Sequence, residues 1–322
     1  MTRSRTGIWE YDAEPPLHGE RLTIAWLTWA LNTLGKLACP PHPRSRFPES
    51  LRYIRDCHAN PSLVDQPEVR MQLAEIQRAT WELMLIVKAT IRAERSTSPF
   101  TRDKLQEMFG GALAADDSHA RNIQFELYVA ALFVIGKFTV RRGDPDAQVE
   151  VYGEYLGIEA KRMSSSNPDT IRRMLSRAAR QVTGKSTSPV IEIVRSRGFL
   201  ALNLDGLFES IDSNGEKADL AAQFGQRMNI LDQEARVLGN KTGVVGVLAT
   251  GHVARWSKTD TPSHWSIETL YAFRWLGLHG DDPVDESLTK RFAPQIDRLQ
   301  DEVLRLRDKV PKAIRVPLPP AP

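Results

Sequence analysis

Asp146-Ala147-Gln148-Val149-Glu150-Val151-Tyr152-Gly153-Glu154-Tyr155-Leu156-Gly157-Ile158-Glu159-Ala160-Lys161 is the stretch that decides how this chain folds. Apolar and polar residues alternate on both sides of Gly153, the pattern of two strands joined by a tight turn. A two-residue turn at Gly153-Glu154, with Gly at its first central position, sets Tyr152 opposite Tyr155. Counting outward pairs Val151 with Leu156, Val149 with Ile158 and Ala147 with Ala160, so one face is wholly apolar. The other face carries Gln148 opposite Glu159 and Asp146 opposite Lys161, because side chains alternate with period two. Asp146 and Glu159 then lie diagonally across the ladder, within reach of one another. Two carboxylates and an ammonium on one face make a hard-oxygen site for a divalent cation, with a fixed cation beside it.

Glu159-Ala160-Lys161 is the one place in 322 residues where an acid stands two before a lysine. Composition alone gives about one such triplet in a chain of this length, so its weight comes from its surroundings. A salt-bridged, solvent-facing hairpin is the plainer reading of the same residues. The segment before the hairpin argues against it. Ser118 to Phe138 has the spacing of a helix, with Ile123, Leu127, Ala130, Val134 and Ile135 on its apolar stripe. Glu126 lies close to that stripe, where an acid is costly to bury unless a partner or a metal compensates it.

Helix with Glu126, then Pro145-Asp146, then Glu159-Ala160-Lys161, then another helix resembles the PD-(D/E)XK nuclease superfamily, over roughly residues 118 to 275. The resemblance implies a restriction-endonuclease-like α/β core: a mixed central sheet flanked by helices. It also implies that Asp146 and Glu159 bind the catalytic metal, that Glu126 completes the metal site, and that Lys161 positions or activates the attacking water. Asp144 competes with Asp146 as the first acid, although parity places it beyond the ladder. The first hundred residues carry no such resemblance.

Composition agrees with a soluble globular protein: 41% apolar, 26% charged and a net charge of only +3, which permits a nucleic-acid partner without demanding one. The piece nearest to a membrane span, Ile24 to Leu37, is interrupted by Thr28, Asn32, Thr33 and Lys36. No apolar run follows Met1-Thr2-Arg3-Ser4-Arg5, so no signal peptide is expected. Two cysteines suggest no disulfide framework and a reducing, cytoplasmic compartment. Cys39, His42, Cys57 and His58 are at poor spacing for structural zinc, because adjacent Cys57 and His58 splay apart on a regular element.

Three zones follow. Residues 1–96 form an N-terminal helical region, with Leu22, Trp26, Trp29 and Leu34 in its first helix and Leu73, Ile76, Leu83, Val87 and Ile91 striping a long one from Glu68 to Arg95. Cys39 to Pro48 reads as a proline-rich loop. Residues 97–280 form the nuclease-like domain, opening with a short helix at Arg102 to Phe109 and a first strand at Phe138 to Arg142. Asn167-Pro168 starts a helix running to about Val182. Phe199 to Leu204 is a buried strand, Glu216 to Leu238 a helix and Val244 to Ala249 a continuous apolar strand. Pro189 to Arg195 and residues 253–275 fit strand or helix. Residues 281–322 give a charged helix, Leu288 to Lys309, with a seam of Ile296, Leu299, Val303 and Leu306, and then a Pro-rich tail expected to be disordered. The N-terminal helices and this C-terminal helix are the surfaces available for a homo-oligomer or a protein partner.

The expected function is divalent-metal-dependent hydrolysis of phosphodiester bonds in nucleic acid, with DNA the expected substrate and Mg²⁺ (or Mn²⁺) the cofactor. The alternative is a nuclease-fold module that binds nucleic acid without cutting it, or serves as an assembly subunit. No Gly-rich phosphate loop ending in Lys-Ser/Thr accompanies the motif. Arg173, Arg177 and Arg180, flanked by Arg172, line the helix face opposite Ile171, Leu175, Ala178 and Val182. With Arg162 they are the expected phosphate contacts. Substituting Glu159 or Lys161 is expected to stop catalysis and leave the fold intact.

Overall fold

The computed structural model describes residues 19–37, 39–94, 96–110, 118–143, 146–163, 165–184, 197–205, 217–236, 238, 243–258, 265–278 and 283–307. Asp144, Pro145, the segment Pro189 to Arg195 and the Pro-rich tail lie outside them. Among the described residues the chain is α/β. A mixed six-stranded sheet runs in the order β1 (Val140–Arg141), β2 (Ala147–Val151), β3 (Glu154–Arg162), β4 (Gly198–Asn203), β5 (Val244–Lys258), β6 (Trp265–Gly277). β3, β4 and β5 are parallel neighbours and the other pairings are antiparallel.

The helices are α1 (Gly19–Lys36), α2 (Arg46–Ala59), α3 (Pro67–Arg92), α4 (Arg102–Met108), α5 (Ser118–Ile135), α6 (Pro168–Val182), α7 (Lys217–Arg236) and α8 (Pro283–Arg307). Strand parity assigns them to two layers. Ala147, Val149, Val151, Leu156, Ile158, Ala160, Phe199 and Ala201 face a core shared with α1, α3, α4, α5 and α8. Leu200, Leu202, Val247 and Ala249 face the other way, against α6 and α7. The N-terminal and C-terminal zones therefore contribute to the same core as the central one. Of the α8 seam, Ile296 and Leu299 are buried, as is Phe292, so this face packs on the body. The side chains of Val303 and Leu306 lie outside those described.

The structure corrects three sequence expectations and settles one left open. The hairpin turns at Tyr152-Gly153 rather than Gly153-Glu154, with Val151 opposite Glu154, Val149 opposite Leu156 and Ala147 opposite Ile158. Both turn residues have positive φ, 53° and 83°, the primed geometry whose twist matches the flanking strands. The register slips by two residues, so every side chain keeps its expected face. Arg46 to Pro48 belong to α2 and not to a loop. The α3 stripe understates burial: from Arg78 to Val87 the helix is enclosed all round, whereas Ile91 is 55% exposed. Residues 253–258 and 265–275, which fitted strand or helix, are strand: β5 and β6 form a long antiparallel ladder from Gly246–Gly277 to Lys258–Trp265. No helix among the described residues is long and apolar enough to cross a membrane.

Two glycines let β3 and β4 meet. A Cβ on Gly198 would stand 2.1 Å from the Gly157 carbonyl oxygen, so this parallel pair starts only because Gly198 has no side chain.

Candidate metal and phosphate site

β2 leaves the ladder at Asp146, and β3 continues past it through Glu159, Ala160 and Lys161. The Ala160 N–H there donates to Asp146 Oδ2 at 2.8 Å, so a side chain takes over from the departing strand. That bond pins the Asp146 carboxylate beside Glu159. Glu159 points to the polar face, and at its own position that face is closed: the residue is only 1% exposed. Lys161, two residues on, is on the same face, and its ammonium contacts Glu159 Oε1. Glu126 reaches the same place from α5, where Lys104 Nζ of α4 donates to its Oε2 at 3.1 Å.

The electrostatics tie these groups together. Asp146 is pushed up to about 7, first by burial, then by the nearby carboxylates of Glu126 and Glu159. The Ala160 N–H and the Lys161 ammonium pull the other way and do not offset the crowding. The Glu126 and Glu159 carboxylates, close enough to raise the proton affinity of Asp146, make with it an all-oxygen donor set that suits a divalent cation. Their ligand atoms do not converge as tightly as a closed metal cage. Among the described residues only Glu82, Asp205 and His252 form a group of three acidic, histidine or cysteine side chains whose ligand atoms all lie within 4.8 Å of one another.

The second cluster escaped sequence reading, and its chemistry differs. Arg78 Nη1 lies 2.8 Å from Glu82 Oε1 and 3.0 Å from Asp205 Oδ2, and its other nitrogens hold Glu75 at 2.6 and 2.9 Å. His252 Nδ1 sits 3.1 Å from both Asp205 oxygens, the His252 N–H donates to Asp205 Oδ1 at 2.7 Å, and Tyr128 Oη lies 3.4 Å from Nε2. Arg121 bonds Glu75, and Arg46, Gln124 and Glu82 form a chain of hydrogen bonds. His252 and the Arg78 guanidinium, with help from Asn203, hold the Asp205 carboxyl well below the usual range in spite of its burial. A permanent cation thus already balances the acids that could ligate a metal here. The sequence signal was Glu75, Arg78 and Glu82 at helical spacing inside an apolar stripe.

The basic residues sort into two groups. On α6, whose start is capped by Asn167 accepting from the N–H groups of Asp169 and Thr170, the buried stripe of Ile171, Leu175, Ala178 and Val182 is as expected. Arg173, Arg177 and Arg180 are exposed on its opposite face. Arg172 is exposed too, but its guanidinium is engaged by Glu234 of α7 at 2.8 and 3.2 Å. Arg162 is half-buried beside the Arg78 network: burial first, then the Arg78 charge, lowers its proton affinity. Cys39 and Cys57 are free and buried, in separate apolar clusters.

Comparisons with protein-family models, with curated proteins and with solved structures return no match.

Proposed function

We propose that this chain is a divalent-cation-dependent phosphodiesterase acting on nucleic acid, with DNA as its substrate. The observation that supports this reading is the gathering of Glu126, Asp146, Glu159 and Lys161 where β2 leaves β3. Asp146, Glu159 and Glu126 are the residues that would hold the ion, and their hard oxygens suit Mg²⁺, with Mn²⁺ as a substitute. When bound, such an ion polarises the scissile phosphate and makes water a stronger nucleophile. Lys161 keeps an ammonium beside Glu159, where it orients the attacking water or offsets charge developing on phosphate oxygens. One observation favours the alternative, a module that binds without cutting: Glu126 and Glu159 both already have ammonium partners.

Metal binding by the intact protein tests the role given to Asp146. A raised Asp146 carboxyl carries its proton below about 7 and loses it above. Protons therefore compete with the ion on the acid side, and Mn²⁺ affinity measured by calorimetry should rise as pH passes from 6 to 8. Asp146→Asn should bind weakly and without that pH step. Wild-type affinity that is flat across the interval would contradict the role given to Asp146.

Arg173, Arg177 and Arg180 would hold the phosphate backbone, fixing register without reading sequence. Each phosphate contact contributes a slope of about −0.9 in log affinity against log salt on duplex DNA. The triple Arg→Ala protein should bind all sequences more weakly, with a salt dependence flatter by roughly two to three units. Unchanged affinity and slope would place the substrate track elsewhere. Arg172→Ala should instead loosen the α6–α7 contact through Glu234.

A further inference from the structure

Lys104 belongs to no motif in the sequence, yet it stands inside the proposed site. Thr101 caps α4 by accepting the Lys104 N–H, and Leu105 and Met108 bury the helix against the main core. That anchoring leaves Lys104 on the side facing α5, with its ammonium on Glu126 Oε2 at 3.1 Å. Both side chains keep contact with water, 29% and 17% exposed, so the pair adds little to stability. The same Glu126 carboxylate crowds Asp146. Glu126 thus has two claimants of the same sign: the Lys104 ammonium now on it, and the divalent ion of the proposed reaction.

We infer that Lys104 is the resident counter-cation of Glu126, which a divalent ion must displace, and that it thereby sets the affinity of the site for metal. The inference rests on the phosphodiesterase reading and adds a positioning residue to it. A lysine suits the role because its charge rides on a flexible four-carbon stem and can swing away without disturbing α4. Lys161 differs in its partner: Glu159 is closed off from water, whereas Glu126 keeps contact with it. Removing the Lys104 charge deletes a competitor a few ångströms from a ligand oxygen, and at this water-contacting pair, with screening close to that of bulk water, this should tighten metal binding about tenfold.

The test is Mn²⁺ titration of the full chain by calorimetry, with no substrate and no turnover. Lys104→Met should bind Mn²⁺ about tenfold more tightly than wild type. Lys104→Arg should remain close to wild type, and Lys104→Gln, which keeps a polar stem, should repeat the tightening if the Met variant folds poorly. In a Glu126→Gln background the Lys104 change should have no effect. If Lys104→Met and Lys104→Gln bind Mn²⁺ as wild type does and lose only thermal stability, the pair is a strut and the inference is overturned. Loss of binding in Asp146→Asn and Glu159→Gln would then leave the metal site itself standing. If wild type and the Lys104 variants alike bind no Mn²⁺, both the inference and the phosphodiesterase reading fall.

Discussion

Lys161→Met is expected to lower cleavage by roughly 10²–10³-fold, the loss that follows from removing one pre-placed group that stabilises developing charge. Glu159→Gln should cost at least as much, since it also removes a charge that would hold the ion. The two variants should differ in stability. Glu159 is 1% exposed and the Lys161 ammonium is its neighbour, so Lys161→Met leaves a carboxylate buried without its cation. That loss should cost about 1–3 kcal/mol, read as a lower Tm. Glu159→Gln removes the charge instead and should cost less. The double variant should recover part of the stability lost by Lys161→Met while remaining inactive. The sequence expectation that these substitutions spare the fold treats Glu159 as a surface residue, whereas it is buried on a face whose other polar side chains are part-exposed. Full activity in purified Lys161→Met protein would rule out the role assigned to the lysine.

The largest stability effect is expected at Arg78→Met. Arg78 joins Glu75, Glu82 and Asp205, and its removal takes the guanidinium from two buried acids, leaving Glu82 with Gln124 and Asp205 with His252 and Asn203. Breaking a buried pair from one side costs roughly 3–5 kcal/mol, so the variant should melt far below wild type or fail to fold. The pH dependence has a definite sign. Asp205 titrates lower in the folded chain than in the unfolded one, so its contribution is complete above about 4 and is lost as pH falls further. Asp146 acts oppositely: its raised carboxyl favours the folded state below about 4, and that advantage is lost as pH rises towards 7. Thermal melts from pH 3 to 8 should therefore show a steep acid limb that depends on Asp205, and Asp146→Asn should remove a shallower decline between 4 and 7. An acid limb unchanged in Asp205→Asn would contradict this assignment.

The sheet was legible where side-chain period alone determines it. The hairpin faces, the buried β4 and the start of β5 follow from alternation and apolar runs, and parity survived a turn displaced by one residue at each arm. The displacement itself was hidden, because Tyr152 adopts a positive φ that a bulky residue seldom takes. The far half of β5 and all of β6 resisted reading, since Gly251, His252 and Arg255 interrupt the apolar pattern. Asp146, Glu159, Lys161 and Glu126 were found because spacing brings them to one end of the ladder. Lys104, Asp205 and His252 were not, because nothing local links α4 to α5, or the end of β4 to α3. Such groups become neighbours only when the helices dock.

The most direct measurement of the central claim is cleavage of linear duplex, closed circular and single-stranded DNA by the purified chain, with Mg²⁺ and with the ion chelated. Cleavage of at least one substrate is predicted to stop on chelation, to return with Mg²⁺ or Mn²⁺, and to be absent from Glu159→Gln protein under all conditions. Cleavage that persists in Glu159→Gln, or no cleavage of any of the three by wild-type protein that binds Mn²⁺, would contradict the claim.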